Sequence, residues 1–165
     1  MDNFDGLIGR LLARHVEFVV IGGYAAVTHG AIDVTRDLDI CCPFTEPNLL
    51  KLQDALAPTN PVHRITIHPS PLALLPGHCE RWRNLYLKTD EGVIDCLSEV
   101  MGIGGYAEVF QASELAEANF GSYRVLSVPA LIEAKQAIGR PHDQRTVIQL
   151  RCVLDAQRQE GSSTK

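Results

Sequence analysis

The chain predicts an α/β or α+β domain, and three observations carry that. Short apolar runs of strand length alternate with stretches of helical periodicity, glycine and proline punctuate the junctions, and two aspartates open one strand at i, i+2 spacing. At 165 residues the length suits one domain with a sizeable core, expected over 1–158, with a polar tail at 159–165 expected to be disordered. The composition, 45% hydrophobic and 21% charged, is that of a soluble globular protein. A net charge of −5 argues against a broad nucleic-acid-binding surface, so a small substrate or a local contact with a larger one fits better. No apolar run approaches the roughly 18 residues of a membrane span and no signal segment opens at Met1, so a cytoplasmic location with no membrane partner is expected. The five cysteines, Cys41, Cys42, Cys79, Cys96 and Cys152, are odd in number and lack CxxC spacing, which suits neither a disulfide framework nor a zinc site.

Taken in order, Phe4, Leu7, Ile8, Leu11 and Leu12 form one apolar stripe on a first helix. The continuous apolar run Phe18–Ile21 reads as a strand covered on both faces. Gly22-Gly23 ends it, a short helix follows from Tyr24, and His29-Gly30 closes that helix. A second strand begins at Asp37. Thr45 caps a third helix with Pro47 in its first turn and Leu49, Leu52 and Leu56 facing inward. Five of the nine prolines lie between Pro58 and Pro76, which marks an excursion at a sheet edge with one strand over 62–67 and with His63, His68 and His78 in solvent. Residues 82–88 and 93–97 flank Thr89-Asp90-Glu91-Gly92 as a hairpin. Gly102-Ile103-Gly104-Gly105 reads as a flexible connection. A last hairpin spans 115–120 and 123–127, and two helices meet at the break Gly139-Arg140-Pro141.

Chemistry concentrates in a few positions. Side chains at i and i+2 of a strand share a face, so Asp37 and Asp39 project together while Leu38 and Ile40 turn inward, and two close carboxylates make a hard-oxygen site for a divalent cation. Arg36 has the opposite parity and points away from them unless the strand begins after it. Asp95 lies within an apolar run, where an unpaired carboxylate is costly; it must be hydrogen-bonded, paired with a cation, or a metal ligand. Gly22-Gly23 permits close backbone approach, ahead of a helix start that favours anions. Lys135, Arg140 and Asp143 cluster at the final helix break, where a salt-bridged corner is the plainest use for them.

An apolar strand, Gly22-Gly23, a thirteen-residue spacer, Asp37-Leu38-Asp39 and a later strand aspartate, Asp95, together resemble the active-site pattern of the polymerase-β-like nucleotidyltransferase superfamily. The wording of residues 22–30 and 35–40, with 131–135 and 139–143 downstream, resembles the small bacterial branch that holds AbiEii-type toxin transferases and some antibiotic-modifying enzymes. The likeness covers residues 16–155, and only its first motif is specific. It implies a mixed sheet of about five strands flanked by helices, helices 1 and 3 on one side, and a C-terminal helical pair closing over a nucleotide cleft. It further implies that Gly22 and Gly23 receive nucleotide phosphates, that Asp37, Asp39 and Asp95 hold two Mg2+ ions once an NTP is bound, that Lys135 reaches the triphosphate, and that Asp143 orients it.

The activity so implied is transfer of a nucleoside monophosphate from an NTP, such as ATP, to a hydroxyl on a small molecule, a protein or an RNA end, with a protein partner or a second copy completing the acceptor side. One residue departs from the pattern. Asp33 stands where the branch commonly has an arginine, which weakens nucleotide binding unless Arg36 or another basic residue substitutes. The alternative is accordingly an inactive nucleotidyltransferase-fold protein acting as a binding or regulatory partner, for instance in a toxin–antitoxin pair. A dinucleotide-binding turn is disfavoured because GxGxxG is absent.

Overall fold

The computed structural model describes residues 2–32 and 34–162. Helix α1 (Phe4–Ala13) opens with the Asn3 side chain accepting the Gly6 N–H at 3.0 Å, and its stripe of Leu7, Ile8 and Leu11 is fully buried. Strand β1 (Val19–Ile21) is buried throughout, as a strand covered on both faces should be. Helix α2 (Gly22–Thr28) follows without a spacer, because Gly22 takes φ 67° and turns the chain at once. Strand β2 (Asp37–Cys41) starts at the first aspartate. Helix α3 (Glu46–Leu56) carries Pro47 in its first turn and buries Leu49, Leu52 and Leu56.

The proline-rich excursion is less regular than its alternation suggests. Strands β3 (Val62–His63) and β4 (Ser70–Pro71) are two residues each, and the strand expected over 62–67 stops at His63. The Thr66 hydroxyl donates to the carbonyls of His68 at 2.8 Å and His63 at 3.3 Å, and such local bonds compete with a ladder. Ile65 and Ile67 are left exposed. His68 and His78 are exposed as expected, whereas His63 is half-buried and stacks on Trp82 with ring centroids 5.0 Å apart.

Strands β5 (Asn84–Thr89) and β6 (Gly92–Leu97) form the expected hairpin. Where a plain connection was expected, β7 (Glu99–Val100) and β8 (Gly104–Gly105) pair as a small ribbon, followed by helix α4 (Tyr106–Gln111). The last hairpin is β9 (Ser113–Ala118) with β10 (Gly121–Leu126). Helix α5 (Val128–Ile138) ends on Gly139 at φ 70°, and helix α6 (Pro141–Ser162) begins after it. Helix α6 continues through Ser162, past the boundary expected at 158; Met1, Asp33 and residues 163–165 lie outside the described residues.

The sheet is mixed, in the order β4-β3-β5-β6-β2-β1-β10-β9. It has eight strands where the resemblance implied about five, the two-residue strands β3 and β4 extending one edge. Strand β2 lies antiparallel to β1 and parallel to β6. Leu38 and Ile40, on the face away from the aspartates, join α1 and α3 residues in one apolar core. Cys41, Cys42, Cys79 and Cys96 are buried and unbridged and pack as small hydrophobes, while Cys152 is exposed. No described helix is long and apolar enough to cross a membrane.

Candidate active site

Register brings the three aspartates together. In the parallel pair β2/β6, Asp39 lies directly beside Asp95, and Asp37 is one face-sharing position away along β2. Each offers a carboxylate oxygen, and these oxygens lie within 4.8 Å of one another. Asp95 is 6% exposed and the other two are half-buried. Burial, then the neighbouring charges of Asp37 and Asp95, push Asp39 up to about 7, against the opposing pull of Lys135 and Arg140. Burial likewise raises Asp95, although Arg64 works in the other direction. Three hard oxygen donors that repel one another at this spacing fit a divalent cation, which would relieve the repulsion.

Asp95 also meets the other requirement read from its apolar setting. The Arg64 Nε–H donates to its Oδ1 at 3.1 Å and Nη2–H to its Oδ2 at 2.5 Å, a two-pronged pair. The guanidinium carbon also sits 5.7 Å from the Tyr86 ring centroid, and Tyr86 is the cross-strand neighbour of Asp95.

Both glycines of the turn have steric reasons to be glycine. A Cβ on Gly22 would overlap the Asp39 carboxylate, and one on Gly23 would come within 2.8 Å of Thr35 Oγ1. Their missing side chains are what let Asp39 and Thr35 close over the start of α2. Thr35 is fixed in turn by donating to the Asp37 carbonyl at 2.8 Å.

The triad lies in a cleft of about 1150 Å³ that Gly22, Gly23 and Arg36 also line. Arg36 precedes β2 and is exposed, so strand parity does not turn it away. Helix α5 and the α5/α6 corner line the same cleft through Leu131, Lys135, Ile138, Arg140 and Asp143. At that corner the buried Asp143 accepts from Lys135 Nζ at 3.1 Å and Arg140 Nε at 2.9 Å. Burial raises its pKa, but these two hydrogen bonds outweigh it and hold the carboxyl below its ordinary value. The corner is therefore salt-bridged and faces the cleft at the same time. His29 is outside this set; its ring bonds the Leu126 carbonyl at 2.9 Å, a packing role.

Arg64 is the site residue the sequence did not single out. The demand that Asp95 find a cation or a metal was legible, but the identity of the cation depends on β3 pairing with β5, a long-range fact with no local signal.

No family model matches the chain, and no curated protein matches it in sequence. Solved structures do match in fold. The crystal structure of ANT(2'')-Ia in complex with adenylyl-2''-tobramycin aligns at TM-score 0.56 and 16% identity, covering 95% of this chain and 90% of that one. A Thermotoga maritima protein assigned as a nucleotidyltransferase aligns at TM-score 0.55 and 17% identity, over 93% of this chain and 91% of its own. The solution structure of the antibiotic-resistance factor ANT(2'')-Ia gives TM-score 0.52 at 15% identity, over 98% and 92%. At these identities the likeness is one of fold: a mixed α/β sheet flanked by helices, as in nucleotidyltransferases.

Proposed function

We propose that the chain is a nucleotidyltransferase that moves a nucleoside monophosphate from an NTP to a hydroxyl acceptor, with Mg2+ bound by Asp37, Asp39 and Asp95. The observation that carries this is the triad itself, three carboxylate oxygens within 4.8 Å on the floor of a cleft of about 1150 Å³, large enough for a nucleotide and an acceptor. The fold likeness supports it, and the first of the matched structures holds an adenylylated small molecule.

The reaction is an in-line displacement. The acceptor oxygen bonds the α-phosphorus, the bond to the bridging oxygen breaks, pyrophosphate leaves, and the hydroxyl proton passes to a base. Asp95 would take that proton as general base once its carboxylate is free of Arg64. Asp37 and Asp39 would hold the metal, which supplies Lewis acidity and neutralises charge on the phosphoryl oxygens. Gly22 and Gly23 leave backbone room for phosphate, with Arg36 beside them on the cleft. Lys135, fixed by Asp143, presents a point charge to the leaving pyrophosphate while Asp143 positions it.

Calorimetric titration with ATP, GTP, CTP and UTP, with and without Mg2+, tests this on the wild type and on Asp37→Ala/Asp39→Ala. Metal-dependent binding of at least one NTP is expected in the wild type and not in the variant. A folded wild type that binds no NTP, or a variant that binds equally well, would overturn it.

A further inference from the structure

Two incompatible demands meet at Asp95. It stands beside Asp39 and completes the donor set, yet both its oxygens are already engaged by the Arg64 fork. Among the described residues Arg64 is its one ion-pair partner, since Lys135 and Arg140 are committed to Asp143. The Asp95 side chain is 9% exposed and the Arg64 side chain 33%, so the arginine reaches in from the open side. Its backbone is fixed, with the Arg64 N–H donating to the Tyr86 carbonyl at 3.0 Å. The residues that follow, 65–69, pair with no strand. Only the long side chain needs to move for the fork to open.

A carboxylate in a two-pronged guanidinium pair has its lone pairs aimed at N–H donors and a full positive charge beside it. It is a poor ligand for a second cation and a poor acceptor of a proton. Asp37 and Asp39 carry no ion pair among the described residues and have no such obstacle.

We propose that Arg64 competes with the divalent metal for Asp95. In the metal-free chain it occupies that carboxylate and leaves a two-aspartate site; Asp95 becomes available when the guanidinium is drawn onto an anion in the cleft, whose geometry a nucleotide phosphate matches. Arg64 is thus a positioning residue that couples metal loading to arrival of the anion. This rests on the metal and nucleotide site proposed above. It predicts weak metal binding by the chain alone, for a reason removable by mutation.

The test is calorimetric titration with Mn2+ in the absence of nucleotide, at one fixed, mildly alkaline pH, on the wild type, Arg64→Gln, Arg64→Lys and Arg64→Gln/Asp95→Asn. Removing a charge-assisted pair should tighten Mn2+ binding by about tenfold or more in Arg64→Gln. Arg64→Lys, which keeps the charge and loses the fork, should gain less, and Asp95→Asn in the double variant should cancel the gain. A purely structural arginine would give no gain. Equal or weaker Mn2+ binding by a folded Arg64→Gln overturns the inference and leaves the metal site standing; should that variant not fold, the absence of any gain in Arg64→Lys does the same. No Mn2+ binding by any of the proteins overturns the metal site and the inference together.

Discussion

Asp39 and Asp143 show opposite consequences of placing a carboxylate under cover. Asp39 is pushed up to about 7, by burial first and then by Asp37 and Asp95, and its side chain carries no ion pair among the described residues to offset this. A carboxyl whose folded pKa is raised keeps a proton that the unfolded chain has already lost. Stability therefore falls as pH rises from its ordinary value, near 4, to about 7, and stays low above that. Asp39→Asn should raise the melting temperature of the metal-free protein above pH 7 and leave it nearly unchanged below pH 4. A melting series across that range checks it, and added Mg2+ should stabilise the wild type and not this variant. The sequence made the pairing of Asp37 with Asp39 legible because strand parity is a local rule. It could not show that Gly22 is glycine on account of Asp39, since that contact forms only once α2 folds back beside β2.

At the scale of elements, the α5/α6 corner is a salt-bridged part of the cleft lining. Helix α5 ends on the left-handed Gly139, α6 starts at Pro141, and Asp143 in the first turn of α6 gathers Lys135 and Arg140. Its carboxyl is held below the ordinary value despite burial, so its contribution is present above that value and is lost as pH falls through the folded one. Asp143→Ala should cost about 3 kcal/mol near neutral pH, because it leaves the largely buried Lys135 without its partner. The difference from wild type should shrink in strong acid, and urea denaturation at the two pH values measures both. Helix periodicity and the Gly/Pro break made this corner readable. The β7/β8 ribbon was not readable: its glycines look like a linker, and only tertiary packing shows that Gly102 is glycine because an added Cβ would come within 2.8 Å of Ala137 Cβ on α5. Likewise the alternation over 62–67 overstated β3, since a pattern does not reveal whether a covering layer exists for Ile65 and Ile67.

For the whole molecule, what matters is which strands become neighbours. Asp37 and Asp95 are far apart in sequence, and their meeting depends on β2 inserting between β1 and β6. Periodicity gives an α/β class and no strand order; the resemblance implied a mixed sheet flanked by helices, and the fold neighbours agree with that much. Arg64 escaped both routes, because the alternation over 62–67 marks a strand without showing that β3 pairs with β5 and so brings Arg64 to Asp95. The same cleft is lined by the sheet carboxylates and by the α5/α6 cations Lys135 and Arg140, the division of charge that the proposed metal-bound triphosphate would bridge.

Diffraction from crystals grown with Mn2+ and a non-hydrolysable NTP analogue tests that division most directly, because anomalous scattering locates the ion without reference to activity. The expected result is an anomalous peak in contact with the Asp37 and Asp39 carboxylates, with the triphosphate between it and Lys135 and with Arg64 withdrawn from Asp95. Nucleotide bound elsewhere, or a manganese peak away from both aspartates, would contradict the assignment of this cleft as a nucleotidyl-transfer site.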